Sequence, residues 1–457
     1  MTSTRRAVVL VDAEHHPPVI RRALAEMAES GTVAELALVV GGSEKVTTPG
    51  EAPDLEIPTR WPTRLDDELT DAAGALQPDV IVDLSGSPAL SEQRRLQLVA
   101  VALAAGCAYE APGVRYEAPL PSLSSRPTVS IVAIGKRAGK TALSGALVRH
   151  GQGRGRKPVV VAMGRGGPSS PVVLPSSEQI DLARLLEVAD AGGHAASDFY
   201  EDAVMTGAPT VGCWRAGDGP AGALGPSNLS AAIAAAEELA GDLTILEGSG
   251  AAIPACRADA VLLVVPATAD PAALGLGVPL RFLLADLVVL TLCHAVGVDE
   301  VAAVLGAVRR LLPRRDLPIV LTSFRPYPLE PISGREVFFA TTAERRAGPR
   351  LVRELEERWG ARVVAVSHEL ANRPALAEDL RRAPPHDVVV TELKAAAVDL
   401  LARAAINAGK EVVFCDYLPE VVPPPPGLPP AGLELDLATA FDGLLDLADQ
   451  RHAARQA

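Results

Sequence analysis

The chain has 457 residues, too many for one hydrophobic core, so its length predicts two or three domains. A hydrophobic content of 48% and a charged content of 22% are typical of a globular protein, and the net charge of −13 argues against a nucleic-acid partner. The five cysteines are far apart in sequence, which favours neither a zinc site nor a disulfide framework and fits a reducing cytoplasm.

The first part of the chain has no signal-peptide apolar region at its start and then alternates between predicted strands and helices. This alternation predicts a Rossmann-like domain with a parallel sheet over residues 1–125, in which 46–66 form a Pro- and Thr-rich surface loop. Ligands bind such sheets at the carboxyl ends of the strands, where Asp12, Glu14 and His15 follow the first strand. These side chains are candidates for metal binding or acid–base chemistry, although acids at strand ends also act as caps.

The central motif is a glycine-bounded loop between a strand and a helix. Residues 129–134 are an apolar, β-branched run typical of a buried strand, and 142–148 continue as a helix. The loop between them has three residues between its glycines, where the usual phosphate-binding pattern has four. The alternative is an ordinary turn followed by a solvated lysine. Strand, loop and helix together predict a P-loop, whose nucleotide-binding residues are Gly135, Lys136, Arg137, Ala138, Gly139, Lys140, Thr141 and Ala142.

Two positions in this motif and one acid further along have expected roles. Lys140 reaches the β- and γ-phosphates of a bound nucleotide, and the Thr141 hydroxyl holds Mg²⁺. A predicted strand at 243–246 ends in Glu247, which fits the acid that holds or orients the metal in P-loop proteins. The alternative is an unspecialised acid at a strand end.

Further candidate ligand-binding residues lie at two other places in the central region. Arg165 lies in a glycine-rich turn after a strand, where it either approaches an anion or belongs to a plain flexible loop. His194, Ser197, Asp198 and Asp202 crowd a glycine-led helix start, where Ser197 or Asp198 also fits the role of N-cap.

The alternation continues to the C-terminus. We interpret the apolar window 274–292 as a buried helix rather than a membrane span, and its second half fits strand and helix equally. Arg325 and Lys394 follow predicted strands, 423–430 form a polyproline spacer, and a terminal helix at 437–455 is a lid, a packing helix or a dimer contact. The predicted fold is multi-domain α/β, with helices on both faces of parallel sheets, and its parts are a Rossmann-like domain (1–125), a P-loop NTPase-type domain (126–345) and a C-terminal α/β region (346–457).

Seven segments along almost the whole chain carry a resemblance to a known family. They read LVDAEHHPPVIR, VVGGSEK, IGKRAGKTA, GGHAASDFYEDA, ILEGSGAAIPA, PLEPISGREVFFATTA and VVTELKAAAVD. In these segments the chain resembles cyclic 2,3-diphosphoglycerate synthetases, and the shortened loop is typical of that family. The resemblance implies an ATP- and Mg²⁺-dependent ligase that closes an intramolecular phosphoanhydride in 2,3-bisphosphoglycerate and releases ADP and phosphate.

With this reaction in view, the positions and chemistry of the candidate residues suggest their roles. The catalytic residues would be Lys140, Lys136, Arg137, Glu247, His194 and Asp198. Thr141 and Glu247 would bind Mg²⁺. The substrate would meet Asp12, Glu14, His15, Arg165, His194, Ser197, Arg325 and Lys394, the last two as phosphate clamps. Two alternatives stay open: a kinase acting on 2-phosphoglycerate or another phosphorylated small acid, and a non-enzymatic switch in which ATP controls dimerisation. We expect a cytoplasmic homodimer that binds neither nucleic acid nor membrane.

Overall fold

The protein folds into two compact units, which we call the N-terminal unit and the main unit. The computed structural model describes residues 4–42, 51–178, 180–218, 222–223, 225–275, 279–314, 316–426, 433–434 and 436–457. The N-terminal unit comprises Met1–Leu120, Pro220–Ala223 and Ala272–Leu284, and the main unit comprises Pro121–Gly219, Leu224–Pro271 and Ala285–Ala457. Among the described residues, no helix is both long enough and apolar enough to cross a membrane.

The N-terminal unit is built on a six-stranded sheet. Its strands are β1 (Arg5–Val11), β2 (Thr32–Val39), β3 (Thr59–Arg60), β4 (Val80–Asp83), β5 (Ala108–Ala111) and β6 (Val114–Tyr116), and its first three helices are α1 (Pro17–Glu29), α2 (Leu65–Leu76) and α3 (Glu92–Ala105). The strand order is β3-β2-β1-β4-β5-β6, and only β6 runs antiparallel to its neighbour. Most of β1 is fully buried, as a central parallel strand with both faces covered should be. The predicted Rossmann-like sheet is therefore present.

The main unit is organised around one twelve-stranded sheet. Its strands are β7 (Thr128–Ala133), β8 (Pro158–Gly164), β9 (Val172–Leu174), β10 (Thr210–Trp214), β11 (Leu243–Glu247), β12 (Ala260–Pro266), β13 (Leu287–Thr291), β14 (Ile319–Pro328), β15 (Glu336–Ala340), β16 (Arg362–Ser367), β17 (Val388–Thr391) and β18 (Glu411–Val421). The strand order is β16-β15-β17-β18-β14-β13-β12-β7-β11-β8-β10-β9. The pairings are parallel except β14–β18 and β9–β10. The central and C-terminal regions thus share a sheet, joined by the antiparallel pair of β14 and β18.

The remaining helices are α4 (Lys140–Gly153), α5 (Leu182–Asp190), α6 (Asp198–Thr206), α7 (Leu229–Glu237), α8 (Leu280–Leu284), α9 (Val298–Leu311), α10 (Gly348–Trp359), α11 (Arg373–Arg382), α12 (Arg403–Asn407) and α13 (Leu437–Gln456). Alternate residues of a strand point to opposite faces of its sheet. Accordingly, Val160 packs in one core with α4, α6 and α13, and its neighbour Val161 packs in another core with α7. The predicted arrangement of helices on both faces of parallel sheets is confirmed.

One sequence interpretation is wrong, and several segments differ in detail. The window 274–292 is not a helix: Ala273–Gly275 form a 3₁₀ turn, α8 is short, and the apolar residues of β13 pair with β12 and β14. Buried strands and buried helices have equally apolar sequences, so periodicity alone could not separate them. The predicted loop at 46–66 contains β3 and the start of α2, and residues 43–50, 276–278 and 427–430 lie outside the described part of the chain.

The terminal helix α13 packs against the main unit. Its apolar residues, including Phe441 and Leu444, join the core beneath β7 and β12. Arg451 makes two 2.8 Å hydrogen bonds to Asp286, and Arg455 donates to Asp259 at 3.2 Å. Of the roles considered from sequence, these contacts fit a packing helix.

Candidate active site

The glycine-bounded loop connects the centre of the large sheet to helix α4. Strand β7 lies between β11 and β12, and α4 begins at Lys140 directly after Gly139. Gly139 has a φ of +87°, and a Cβ placed on it would lie 2.3 Å from Cε2 of Phe324 on β14. Glycine is therefore required here both for its backbone conformation and for the close approach of the aromatic ring. The loop has the strand–loop–helix geometry that presents backbone N–H groups to a phosphate.

The loop's basic side chains fall into two classes. Lys136 and Arg137 are exposed and form no ion pair with any described residue, and Arg137 has a left-handed backbone with a φ of +59°. Lys140 instead forms an ion pair with Glu247 at the end of the adjacent strand β11. Ala138 and Ala142 are buried beneath the loop. The loop therefore offers two free cations at its surface and one that is already paired.

Glu247 joins the loop to the neighbouring strand, as predicted. Besides Lys140, its Oε1 atom accepts a 3.0 Å hydrogen bond from the Thr141 hydroxyl. Burial opposes ionisation of Glu247, but the charge of Lys140 and the hydrogen bonds to Glu247 together outweigh burial and hold the pKa of Glu247 below its ordinary value. Glu247 is thus an ionised carboxylate, 1% exposed, beside the hydroxyl predicted to share a metal with it.

The donor set around Glu247 fits Mg²⁺ bound together with a nucleotide. The carboxyl groups of Glu247 and Asp202 face each other, and Oε2 of Glu247 and Oδ2 of Asp202 are buried with no other hydrogen-bond partner in the described structure. Within the described residues, no group of three or more His, Cys, Asp or Glu side chains is suited to a metal. Mg²⁺ usually takes one or two protein carboxylates and completes its shell with phosphate oxygens and water, and the oxygens of Glu247 and Asp202 fit that pattern.

Helix α6 brings three more acids to this region. Burial raises the pKa of Asp198, against the opposing charge of Lys140. Burial also raises the pKa of Glu201 to about 8, and burial together with the charge of Glu247 raises that of Asp202 well above its usual range. Sequence analysis placed Asp202 in the cluster at this helix start but gave it no role in the site. The signal for a role is its spacing: Asp202 lies one helical turn after Asp198, on the same face of the helix.

The start of α6 places the other two predicted residues. Ser197 is the N-cap residue by backbone position, but its hydroxyl makes no capping bond and is buried without a partner among the described residues. The predicted N-cap role of its side chain is therefore not observed. His194 is exposed and lies against the turn after β8, with its Cδ2 atom 3.2 Å from the position of a Cβ on Gly166.

Two arginines meet at the carboxyl ends of β8, β10 and β11. Arg165 and Arg215 lie 3.0 and 3.4 Å from the position of a Cβ on Gly250, which follows β11 by three residues. Both face Asp218 at 3.5 Å. Arg215 is almost fully buried and donates to the carbonyls of Gly217 at 2.6 Å and Ser249 at 2.8 Å. Sequence analysis selected only Arg165; Arg215 also follows a strand, but its convergence with Arg165 depends on the strand order.

The two predicted C-terminal clamps have different surroundings. The ammonium of Lys394 lies 3.0 Å from Glu201. Burial works against its charge, but Glu201 and Glu392 outweigh burial and raise the pKa of Lys394 above its usual value. Arg325, on β14, is paired with Glu420 on β18 at 3.2 Å. Lys394 is thus connected to helix α6, whereas Arg325 is engaged within the joint between β14 and β18.

The N-terminal cluster lies at the carboxyl ends of β1 and β4 in its own unit. Asp12 accepts 2.9 Å hydrogen bonds from the backbone N–H groups of Glu14 and His15, a 2.7 Å contact from the His15 ring, and a 2.6 Å bond from the Gly86 N–H. Burial opposes ionisation, but these bonds outweigh it and lower the pKa of Asp12. Asp12 therefore holds the turn after β1 and the Gly86 backbone, while the N-cap position of α1 belongs to His16 and the His15 side chain is 41% exposed.

Comparison with known proteins identifies the family. Models of cyclic 2,3-diphosphoglycerate synthetase match three successive parts of the chain: the N-terminal domain at 6–117, the P-loop domain at 128–321 and the C-terminal domain at 328–418. The chain belongs to the cyclic 2,3-diphosphoglycerate synthetase family. The family resemblance and the P-loop predicted from sequence are both confirmed.

Individual relatives cover nearly the whole chain. A cyclic 2,3-diphosphoglycerate synthetase of Methanothermobacter thermautotrophicus is 37% identical over 92% of this chain and 93% of that protein. One from Rubrobacter xylanophilus is 37% identical over 91% of this chain and 94% of that protein. A solved structure of LpxK from Aquifex aeolicus in complex with ATP covers 72% of this chain and 89% of that chain at 12% identity. The TM-score of this match is 0.38, below the level at which two chains are taken to share a fold.

Proposed function

We propose that this protein is an ATP-dependent ligase that converts 2,3-bisphosphoglycerate into cyclic 2,3-diphosphoglycerate, with release of ADP and phosphate. The observation that carries the proposal is the meeting of Lys140, Thr141 and Glu247 at one end of the sheet. Membership of the synthetase family supports the same reaction.

Closing the ring requires an activated phosphate. In the first step, an oxygen of one substrate phosphate attacks the γ-phosphorus of ATP, and the bond between that phosphorus and the β,γ-bridging oxygen breaks to release ADP. In the second step, an oxygen of the other substrate phosphate attacks the phosphorus of the substrate phosphate that was activated in the first step. The bond from that phosphorus to the transferred group breaks, and inorganic phosphate leaves with the bonding electron pair. Both steps transfer phosphoryl groups between anions, so the enzyme contributes mainly positioning and neutralisation of charge.

The P-loop residues supply the charge that the first step needs. Backbone N–H groups of the loop and the N-terminus of α4 would hold the phosphates of ATP. Lys136 and Arg137 are free of ion pairs to described residues and so are available to the transferring phosphoryl group. Thr141 and Glu247 would hold Mg²⁺, which neutralises phosphate charge when bound. Lys140 would leave Glu247 to reach the nucleotide.

The 2,3-bisphosphoglycerate would bind at the carboxyl ends of β8, β10 and β11. Among the described residues, Asp218 is the one ion-pair partner of both Arg165 and Arg215, with Asp198 acting on Arg215 through its charge, and two guanidinium groups beside one another suit a substrate phosphate. His194 and the unpartnered Ser197 hydroxyl offer further polar contacts beside it. Lys394 would complete the positive surroundings from the C-terminal region, while Asp198 would help to position the transferring group.

Phosphorus NMR of the full chain with ATP, Mg²⁺ and 2,3-bisphosphoglycerate tests the proposal. We expect new upfield anhydride resonances from the glycerate, appearing together with ADP and inorganic phosphate. Lys140→Ala should abolish them, and Lys410→Ala, which removes a lysine that donates to the His386 carbonyl, should not. ATP consumption only in the presence of 2-phosphoglycerate would instead indicate a kinase. Hydrolysis that ignores phosphoglycerates but changes self-association would indicate a nucleotide-gated switch.

The proposal extends to three further properties. Magnesium should be required, because the two carboxylates alone leave most of its coordination sphere to phosphate and water. We also propose a homodimer, which light scattering on the purified chain would test, and a cytoplasmic location.

A further inference from the structure

The end of β13 and the middle of β14 lie against the P-loop on the side away from Glu247. The Thr291 hydroxyl, at the end of β13, donates a 2.6 Å hydrogen bond to the carbonyl of Ala138 in the loop. The ring of Phe324, on β14, closes over Gly139. Lys140, by contrast, contacts Glu247 on β11, the neighbour of β7 on its other side. The loop is therefore bordered by two different surfaces.

The position of Lys140 assigns one of these surfaces to the reacting end of the nucleotide. A P-loop lysine reaches the β- and γ-phosphates, so the γ-phosphate belongs near Lys140 and Glu247. The nucleotide is longer than its phosphate chain, and its base and ribose must extend away from the reacting end. The end of β13 and the middle of β14 border the loop on the side opposite Glu247, in the direction that leads away from the reacting end.

Two polar side chains on that surface have unused hydrogen-bonding atoms. His294 lies in the 3₁₀ turn Cys293–Ala295 that follows β13, and its buried Nδ1 atom has no partner in the described structure. Arg350, near the start of α10, donates from one terminal nitrogen to the Ser323 hydroxyl at 3.4 Å. Its other terminal nitrogen is buried without a partner, and it forms no ion pair with any described residue.

Burial and the nearby Arg350 lower the pKa of His294 to about 4, so the imidazole is neutral near pH 7. A neutral imidazole offers one donor and one acceptor, which suits an uncharged base or a ribose better than a phosphate. A guanidinium stacks on aromatic rings and donates hydrogen bonds from its edge. Burying such groups without partners costs free energy, which a ligand that satisfies both would offset.

We propose that His294 and Arg350 form the binding site for the base and ribose of the nucleotide. The proposal rests on the proposed use of ATP. It also gives the C-terminal region a direct part in nucleotide binding, because Arg350 lies on α10, which packs beside β14 and β16. The phosphates would remain with the P-loop, which already carries its own cations.

Calorimetric titration with two probes tests this assignment. MgATP contains base, ribose and phosphates, whereas magnesium tripolyphosphate contains the phosphates alone. We expect His294→Ala and Arg350→Ala each to weaken MgATP binding about tenfold, the change expected when one good polar contact is lost, with tripolyphosphate affinity unchanged within about twofold. Arg353→Ala removes an exposed arginine from the same helix and should leave both affinities unchanged.

The outcomes separate clearly. Unchanged MgATP binding in both variants would overturn the proposal, and so would an equal loss of MgATP and tripolyphosphate, which would mean phosphate contact. If an alanine variant unfolds, Arg350→Lys keeps the positive charge but loses the flat stacking surface, and it should weaken MgATP alone. No phosphoglycerate is present in these titrations, so a failure of ring closure would leave their result unaffected.

Discussion

Replacing Gly139 by alanine tests the packing that fixes the P-loop. The added Cβ would lie 2.3 Å from Cε2 and 2.4 Å from Cζ of Phe324. Carbon atoms in contact ordinarily lie about 3.5–4.0 Å apart, so the ring or the loop must move by roughly 1 Å or more. Phe324 is 6% exposed and packs in the core shared by β7 and α4, so little free space is available to it.

Two separate costs follow from this geometry. A left-handed backbone costs an alanine about 1–2 kcal/mol relative to glycine, and Gly139 has a φ of +87°. Inserting an extra methyl group into a packed core costs about 1–3 kcal/mol more. We therefore expect Gly139→Ala to destabilise the main unit by about 2–5 kcal/mol and to weaken MgATP binding, because the displaced loop no longer presents its N–H groups correctly.

A double-mutant cycle with Phe324→Leu separates the two costs. Leucine removes the ring atoms that the new methyl group would meet, so Gly139→Ala should cost only the backbone term in that background, about 1–2 kcal/mol. Thermal unfolding and MgATP titration of the four proteins measure both effects. If Gly139→Ala costs the same with phenylalanine or leucine at 324, the ring does not restrict the loop and the reasoning is wrong.

Three further predictions concern buried charge. Lys140→Ala leaves the buried carboxylate of Glu247 without its cation, so we expect it to lower the free energy of unfolding by about 3 kcal/mol. Adding Glu247→Gln to that variant should restore most of the lost stability, and a double variant as unstable as Lys140→Ala would contradict the role of the buried charge. The pKa of His294 in the folded chain, about 4, lies below its unfolded value near 6.5, so its contribution to stability is present above pH 6.5 and is lost as the pH falls through 4. His294→Gln should therefore reduce the loss of stability between pH 7 and pH 4.5 by up to about 3 kcal/mol in denaturant titrations, and identical acid sensitivity would refute it. Arg451→Ala breaks a two-bond ion pair with Asp286 and should destabilise the chain by about 1–3 kcal/mol without changing MgATP affinity; altered affinity would mean that α13 acts on the site.

The nucleotide loop could be predicted from the sequence because its signal is local. Its strand, glycines, lysine and helix are consecutive, and each element has its own physical requirement. Glu247 was also predictable, although it is 107 residues from Lys140, because an acid ending a buried strand beside a P-loop has few other roles. In both cases the sequence contained the feature that the structure uses.

Residues whose roles depend on strand order could not be predicted in the same way. Arg215 joins Arg165 only because β10 and β11 both flank β8. Phe324 covers Gly139 although β14 lies three strands from β7 in the sheet, and Arg350 contacts Ser323 on that same strand. Sequence analysis placed Arg325 after the end of this strand, but β14 runs on to Pro328. In the described structure residues 322–328 pair with β18 alone, and a strand without a second partner tolerates the prolines at 326 and 328.

The same strand explains why two adjacent residues differ in their relation to the site. Successive side chains of a strand point to opposite faces. Because Phe324 covers Gly139, Arg325 points to the opposite face. There Arg325 meets Glu420, which also binds Arg358 on α10, and this shared carboxylate ties β14, β18 and α10 together. A cation that reaches the active site from the C-terminal region must therefore come from another element. Lys394 meets that requirement, because its partner Glu201 is next in sequence to Asp202, whose own carboxylate shares the buried surroundings of Glu247.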